Sequence, residues 1–175
     1  YTLDRPKCMV EVEGVSLIDR QIAVLNSEGI KDIVMIGGYK SEMLQRDNAV
    51  LRENPRYFET NMVWTLFCAE EDLDGDILIC YGDIVYSKDI LQALLKSNSD
   101  IAVTIDLLWE SYWRARNENP LDDAETLKMH SDGTIYEIGK KPKSISEIEG
   151  QYMGLIKLNS SGVTKLKNFY HKSLK

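Results

Sequence analysis

Two kinds of side chain in this sequence are placed to handle phosphate: an aspartate directly behind a buried-strand pattern, and lysines, one group of them behind another strand pattern. The run Ile77-Leu78-Ile79-Cys80-Tyr81 ends in Gly82-Asp83. A carboxylate there is a candidate Mg²⁺ ligand, because Mg²⁺ takes hard oxygen donors, often only one or two from the protein, and completes its shell with phosphates and water. Gly82 lets a ligand approach the backbone. Gly-Asp is also ordinary turn chemistry, and taken alone it reads more readily as a turn. The basic stretches Lys140-Lys141-Pro142-Lys143 and Arg5-Pro6-Lys7 are either phosphate contacts or solvated loops.

A third cluster combines aromatics with acids: Asp106, Trp109, Tyr112 and Trp113, then Asp122, Asp123 and Glu125. Aromatic faces attract cations and the acids add charge, so this cluster suits an amino-bearing or choline-like ligand. The competing reading has Trp109 and Trp113, four apart on a helix, packing a core. His130 and His171 are the only histidines, and neither suggests a triad or a zinc site. No G-x-S-x-G elbow supports covalent hydrolysis, and no G-x-G-x-x-G follows a strand in these residues, which argues against a Rossmann dehydrogenase.

The elements that must position these groups are legible as patterns. Ile18, Ile22 and Leu25 define a helix ending at Gly29, a residue suited to a left-handed cap. Ile33 to Ile36 form a short buried strand closed by Gly37-Gly38, and Lys40 to Asp47 resumes helical character. Residues 77 to 81 and 101 to 108 read as further strands, with Ile90, Leu91, Leu94 and Leu95 as the stripe of a helix between them. Alternating buried strands and amphipathic helices predict an α/β class: a three-layer α/β/α, Rossmann-like, mixed and mostly parallel sheet. Glu125–Met129 and Thr134–Ile138 flank Ser131-Asp132-Gly133 and predict an antiparallel extension. Tyr152–Leu158 reads as one more strand, and Val163, Leu166, Phe169 and Tyr170 share a face of a closing helix. In a sheet of this kind ligands settle outside the carboxyl ends of the strands, where Asp83 stands.

With 175 residues, 43% of them apolar, the chain is expected to form one domain. A net charge of −7 argues against a general nucleic-acid binder. No apolar run approaches the ~20 residues of a membrane span, and no signal-peptide pattern opens the chain. Cys8, Cys68 and Cys80 read as buried reduced thiols, and the expected location is cytoplasmic. The start at Tyr1 without methionine and the stop at Lys175 behind a helix-like stretch are what a fragment shows.

In this order, these clusters resemble nucleotidyltransferases of the nucleotide-sugar pyrophosphorylase fold, in particular the phosphocholine cytidylyltransferase-like branch. Thr2 to Val12 is similar to the family stretch T-x-x-x-P-K, and Leu17 to Val34 to P-L-I-x-x-Q-I-x-x-L-x-x-x-G-I-x-x-I with Ser16 in the proline's place. Asn54-Pro55, Tyr57 and Thr60-Asn61 resemble N-P-x-Y-x-x-T-N. Tyr81-Gly82-Asp83 corresponds to the metal-binding aspartate, and Lys141-Pro142 to the lysine-proline that meets the acceptor phosphate.

The resemblance implies Lys7 and Asp83 as catalytic residues, Asp83 on Mg²⁺, with Lys7, Asn61 and Gly82 on the nucleotide. Asp106, Trp109 and Lys141 are expected on the acceptor. The implied reaction transfers a nucleotidyl group, CMP from CTP in this branch, to a small phosphorylated or phosphonate acceptor such as phosphocholine or 2-aminoethylphosphonate, with release of pyrophosphate. The alternatives are a sugar-1-phosphate nucleotidyltransferase and a catalytically inactive regulatory subunit of the same fold. The family's first strand and glycine-rich loop are expected before Tyr1 and its second metal-binding acid after Lys175, so the chain as given is not expected to complete catalysis. Neither nucleic acid nor membrane is an expected partner, and a homodimer through the later strands and last helix is compatible with this reading.

Overall fold

The computed structural model describes residues 2–173; Tyr1, Leu174 and Lys175, on which the expectation of a fragment partly rests, lie outside the described residues. A short hairpin of β1 (Glu11–Val12) and β2 (Val15–Ser16) turns at Glu13 and Gly14, both at positive φ. Helix α1 (Leu17–Ser27) starts where the Ser16 hydroxyl caps it, accepting from Asp19 N at 3.1 Å and donating to the Asp19 carboxylate. It stops at Gly29, φ 79°, as the sequence predicts, with the Gly29 and Ile30 amides donating to the last turn.

Strand β3 (Ile33–Gly37) runs parallel to β4 (Ala49–Glu53), in register from Ile33 opposite Ala49 to Gly37 opposite Glu53. The helical character predicted for Lys40 to Asp47 reduces to a 3₁₀ turn over Ser41–Leu44. A longer helix would put Arg46 out of reach of its bonds to Asp19 and to the carbonyls of Met43 and Gln45. Helix α2 (Met62–Phe67), strand β5 (Ile77–Cys80) and helix α3 (Lys88–Leu95) follow. Of the stripe predicted for α3, Leu91 and Leu94 are buried while Ile90 is exposed.

Strand β6 (Ile101–Asp106) leads to α4 (Trp109–Arg116), the antiparallel pair β7 (Leu127–Met129) and β8 (Ile135–Ile138), then β9 (Gln151–Leu158) and α5 (Ser160–Ser173). The hairpin turn sits at Ser131-Asp132-Gly133 with Gly133 at φ 84°, as predicted. Strand β9 lies between β5 and β6, and it pairs antiparallel with β5 from Ile77 opposite Leu158 to Cys80 opposite Leu155. The α/β class and the mixed sheets hold, with β9 supplying the strand reversal.

The described residues form two compact units, one running to Ala102 and resuming at Leu155, the other Val103–Gly154. The first is built around Phe67, Leu73, Leu158 and Val163, with the Phe67 and Tyr170 rings stacked at 3.5 Å. Its last helix is fixed at its start by Asp100, which accepts from Asn159 Nδ2, Ser161 Oγ and Lys165 Nζ. These donors, Lys165 foremost, hold the Asp100 carboxyl down to about 2. The second unit is built around Trp109, Ala124 and Ile148. No helix among the described residues is long and apolar enough to cross a membrane.

Candidate active site

Lys7 opens a 3₁₀ turn (Lys7–Met9) behind Pro6, and Asp83 follows β5. The two side chains meet, Lys7 Nζ standing 2.5 Å from Asp83 Oδ2. The Lys7 side chain is 72% exposed and that of Asp83 32%, so both charges remain open to ligand exchange. Gly82 makes the approach possible: a Cβ there would lie 3.2 Å from Cys8 Cβ, within the turn that carries Lys7.

Two further side chains hold this arrangement. Gln21, 3% exposed on α1, donates from Nε2 to the carbonyls of both Tyr81 and Ile84 at 2.9 Å, pinning the loop that presents Asp83. It occupies the glutamine of the family pattern P-L-I-x-x-Q-I, so the signal was present in the sequence. Arg46 makes a fork to Asp19 at 2.9 and 3.2 Å and reaches Met9 Sδ, tying the Lys7 turn to α1. Burial pushes the Cys8 thiol up, and likewise Cys80, so both stay protonated. The three cysteines are free thiols, half-buried rather than buried.

The segment resembling N-P-x-Y-x-x-T-N is a knot of hydrogen bonds. Asn54, 1% exposed, donates from Nδ2 to Thr60 Oγ1 and Thr65 Oγ1, and its Oδ1 accepts from Arg56 N. Asn61 caps α2, its Oδ1 accepting from Trp64 N at 3.0 Å. Asn61→Ala is expected to cost about 1 kcal/mol, whereas Asn61→Asp, an equally good cap, leaves stability unchanged in thermal melts.

The residues expected on the acceptor lie in the second unit. Asp106 Oδ1 accepts from Leu108 N at 2.8 Å. Lys141 Nζ donates to the carbonyls of Leu121 and Asp122, which leaves one of its three N–H groups. Trp109 lies in the core of that unit. It is 3% exposed, packed with Ala124 and Ile148, and edge-on to Trp113 with 6.1 Å between centroids. Its faces belong to the core, the reading that the four-residue spacing left open.

No group of three or more metal-binding side chains occurs among the described residues, so a caged metal has no donor set there. One carboxylate behind a strand suits Mg²⁺ shared with phosphates.

Comparison with known proteins places this geometry. Residues 3–109 match the MobA-like NTP transferase domain. Over 180 residues the chain is 40% identical to the CTP:phosphoglutamine cytidylyltransferase of Campylobacter jejuni, a match covering 97% of this chain and 71% of that protein. It is 32% identical over 100 residues to the choline-phosphate cytidylyltransferase of Streptococcus pneumoniae, covering 55% of this chain and 44% of that one. The inositol-1-phosphate CTP transferase of T. maritima superposes with a TM-score of 0.71 at 16% identity, over 93% of this chain and 65% of that structure's chain, a likeness of fold.

Proposed function

The chain belongs to the MobA-like NTP transferase family, and from that premise we propose that it provides the nucleotidyl-transfer core of a Mg²⁺-dependent cytidylyltransferase. CTP is the donor, and a small phosphorylated or phosphonate compound bearing an amino group is the acceptor. The observation that carries the reading is the Lys7–Asp83 pair behind β5. The acceptor's phosphate oxygen attacks the α-phosphorus, the bond from the α-phosphorus to the α,β-bridging oxygen breaks in line, and pyrophosphate leaves.

Lys7 swings from Asp83 to a phosphate oxygen, where its ammonium offsets the charge that builds in the transition state. Mg²⁺, when bound through Asp83, neutralises phosphate charge and orients the nucleotide. Gln21 holds the Asp83 loop still, so that the carboxylate does not have to reorganise. Lys141 keeps one N–H for the acceptor's phosphate, and Asp106 lies at the end of β6 as a polar neighbour for its head. The two relatives cited are named as cytidylyltransferases of phosphoglutamine and of choline-phosphate, which supports this pairing over a sugar 1-phosphate. The facing edges of β3 and β5 border a groove of about 1180 Å³, and it fits the further strand that the resemblance expects. Free thiols and a CTP requirement fit the cytoplasm.

A pyrophosphate-release assay on the full-length protein tests this, with the four common NTPs and Mg²⁺ against phosphocholine, 2-aminoethylphosphonate, phosphoglutamine and sugar 1-phosphates. Release is expected with CTP and an amino-bearing acceptor. Release confined to UTP or dTTP with a sugar 1-phosphate would replace the proposal, and nucleotide binding without any turnover would favour a regulatory subunit.

A further inference from the structure

The segment that carries Lys7 is held to the first unit by polar contacts rather than by burial. None of residues 2 to 15 is buried, and Leu3 is 93% exposed. Removal of apolar area from water, which fixes most of a folded chain, therefore does little for this strap. Directional contacts have to place it. Behind Lys7, Leu17 N donates to the Val10 carbonyl and Arg46 reaches Met9 Sδ. In the middle stands the Lys7–Asp83 pair. Ahead of Lys7, two adjacent residues of the loop after β3 grip two adjacent carbonyls. Tyr39 Oη donates to the Leu3 carbonyl at 2.6 Å, and Lys40 Nζ donates to that of Asp4 at 2.9 Å.

The loop itself is shaped around this grip. Lys40 adopts the left-handed conformation, φ 49° and ψ 44°, which crowds the Cβ of any residue but glycine. Such a residue persists where its surroundings hold it, and the bond from its ammonium to the strap is one such hold. Tyr57 flanks the Tyr39 ring with 6.3 Å between centroids, and the Lys40 ammonium lies 5.6 Å from the centre of that ring. The close fit of Tyr57 needs a glycine at position 38, where a Cβ would collide with Tyr57 Cβ and Cγ.

We propose that Tyr39 and Lys40 are positioning residues for Lys7, a latch that keeps the strap in place during nucleotidyl transfer. The inference rests on the nucleotidyl-transfer reading. In that reaction Lys7 leaves Asp83 for a phosphate oxygen, so the strap loses its middle anchor at the moment when the ammonium has to be placed. With the front carbonyls held, the exchange is a rotation of one side chain. Without them the backbone ahead of Lys7 moves as well, and a misplacement of about 1 Å can cost up to about 10² in rate. Tyr39 and Lys40 act through the Leu3 and Asp4 backbone.

The test uses the full-length protein carrying Tyr39→Phe, which keeps the ring and removes the hydroxyl, and Lys40→Met, which keeps the stem and removes the charge. Without ligand, hydrogen exchange is followed at the Met9 and Val10 amides, which donate to the Pro6 and Lys7 carbonyls within the Lys7 turn. Each substitution is expected to speed their exchange roughly two- to tenfold, the range that one net hydrogen bond provides. The Ile22 and Leu25 amides of α1 should exchange as before. In the pyrophosphate-release assay, Tyr39→Phe is expected to lower kcat roughly tenfold while the KM for CTP changes less than about threefold. In a Lys7→Met background the same substitution should change the residual kcat less than about twofold, since no ammonium is left to place. Lys40→Arg, which restores a charged donor for the Asp4 carbonyl, should recover most of what Lys40→Met loses.

Unchanged exchange at Met9 and Val10 with both substitutions present overturns the latch. Equal losses of kcat from Tyr39→Phe in the wild-type and Lys7→Met backgrounds overturn the positioning of Lys7. Faster exchange alongside an assay silent with every acceptor removes the reaction and keeps the latch. Faster exchange with turnover at the native rate keeps the reaction and removes the positioning role.

Discussion

Asp83→Asn in the active protein lowers kcat by about 10² to 10³, the loss that follows removal of one contact aligned with developing phosphoryl charge. The substitution keeps the shape of the side chain and removes the charge that Mg²⁺ needs. It also releases Lys7, whose ammonium stands 2.5 Å away in the native pair. Folding should barely change. The pair is solvent-accessible, and exposed pairs contribute about 0–1 kcal/mol. Thermal melts and Mg²⁺ titrations separate the two effects: a near-native melting temperature is expected together with loss of metal-dependent nucleotide binding. Activity within a few fold of wild type would remove Asp83 from the metal site, and a collapse in melting temperature would make the pair structural.

The largest stability effect is expected far from that site, at Gly162. On helix propensity alone Gly162→Ala should stabilise α5 by up to about 1 kcal/mol. The packing reverses the sign. A Cβ at this position would stand 2.0 Å from the Asp100 carbonyl oxygen and 2.9 Å from its carbon, both of them backbone atoms that cannot swing aside. Nor can the helix retreat cheaply. Asn159 N donates to that same carbonyl, Asn159 Nδ2, Ser161 and Lys165 hold the Asp100 carboxylate, and Val163 is buried in the core with Leu158. A loss of about 3 kcal/mol is expected, the upper range for overpacking. For a chain of this size that is a fall of roughly 6–12 °C in melting temperature. A neutral or stabilising Gly162→Ala would mean that the contact between α5 and Asp100 is looser than described.

Much of the fold was readable where the signal is local. Gly29 ends α1 because a left-handed residue closes the last turn, and that requirement is visible from the spacing of Ile18, Ile22 and Leu25. The hairpin at Asp132-Gly133 is turn chemistry of the same kind. Strand β4 escaped notice because Val50 and Leu51 are its only large apolar residues, between Asp47-Asn48 and Arg52-Glu53. It is a strand through pairing with β3, with Arg52 held by Asp72, twenty positions on. The 3₁₀ turn at Ser41–Leu44 is likewise set by partners, the Ser41 hydroxyl donating to Glu53.

By itself, the sequence determined the α/β class and the elements with strong local patterns, and it singled out candidates to meet phosphate and metal. These follow from periodicity, caps and turn residues, which act over a few positions and carry their own geometry. The tertiary structure alone decided that Lys7 and Asp83, 76 positions apart in numbering, share an ion pair across the Gly82–Cys8 contact. It decided too that Gln21 clamps the Asp83 loop, and that Trp109 is core while Trp113 stays half-buried. Trp109 and Trp113 share one helix and one residue type, so local pattern treats them alike. What separates them is which surfaces arrive from distant parts of the chain, and that is settled only when burial of apolar area and satisfaction of polar groups are resolved together in the packed protein.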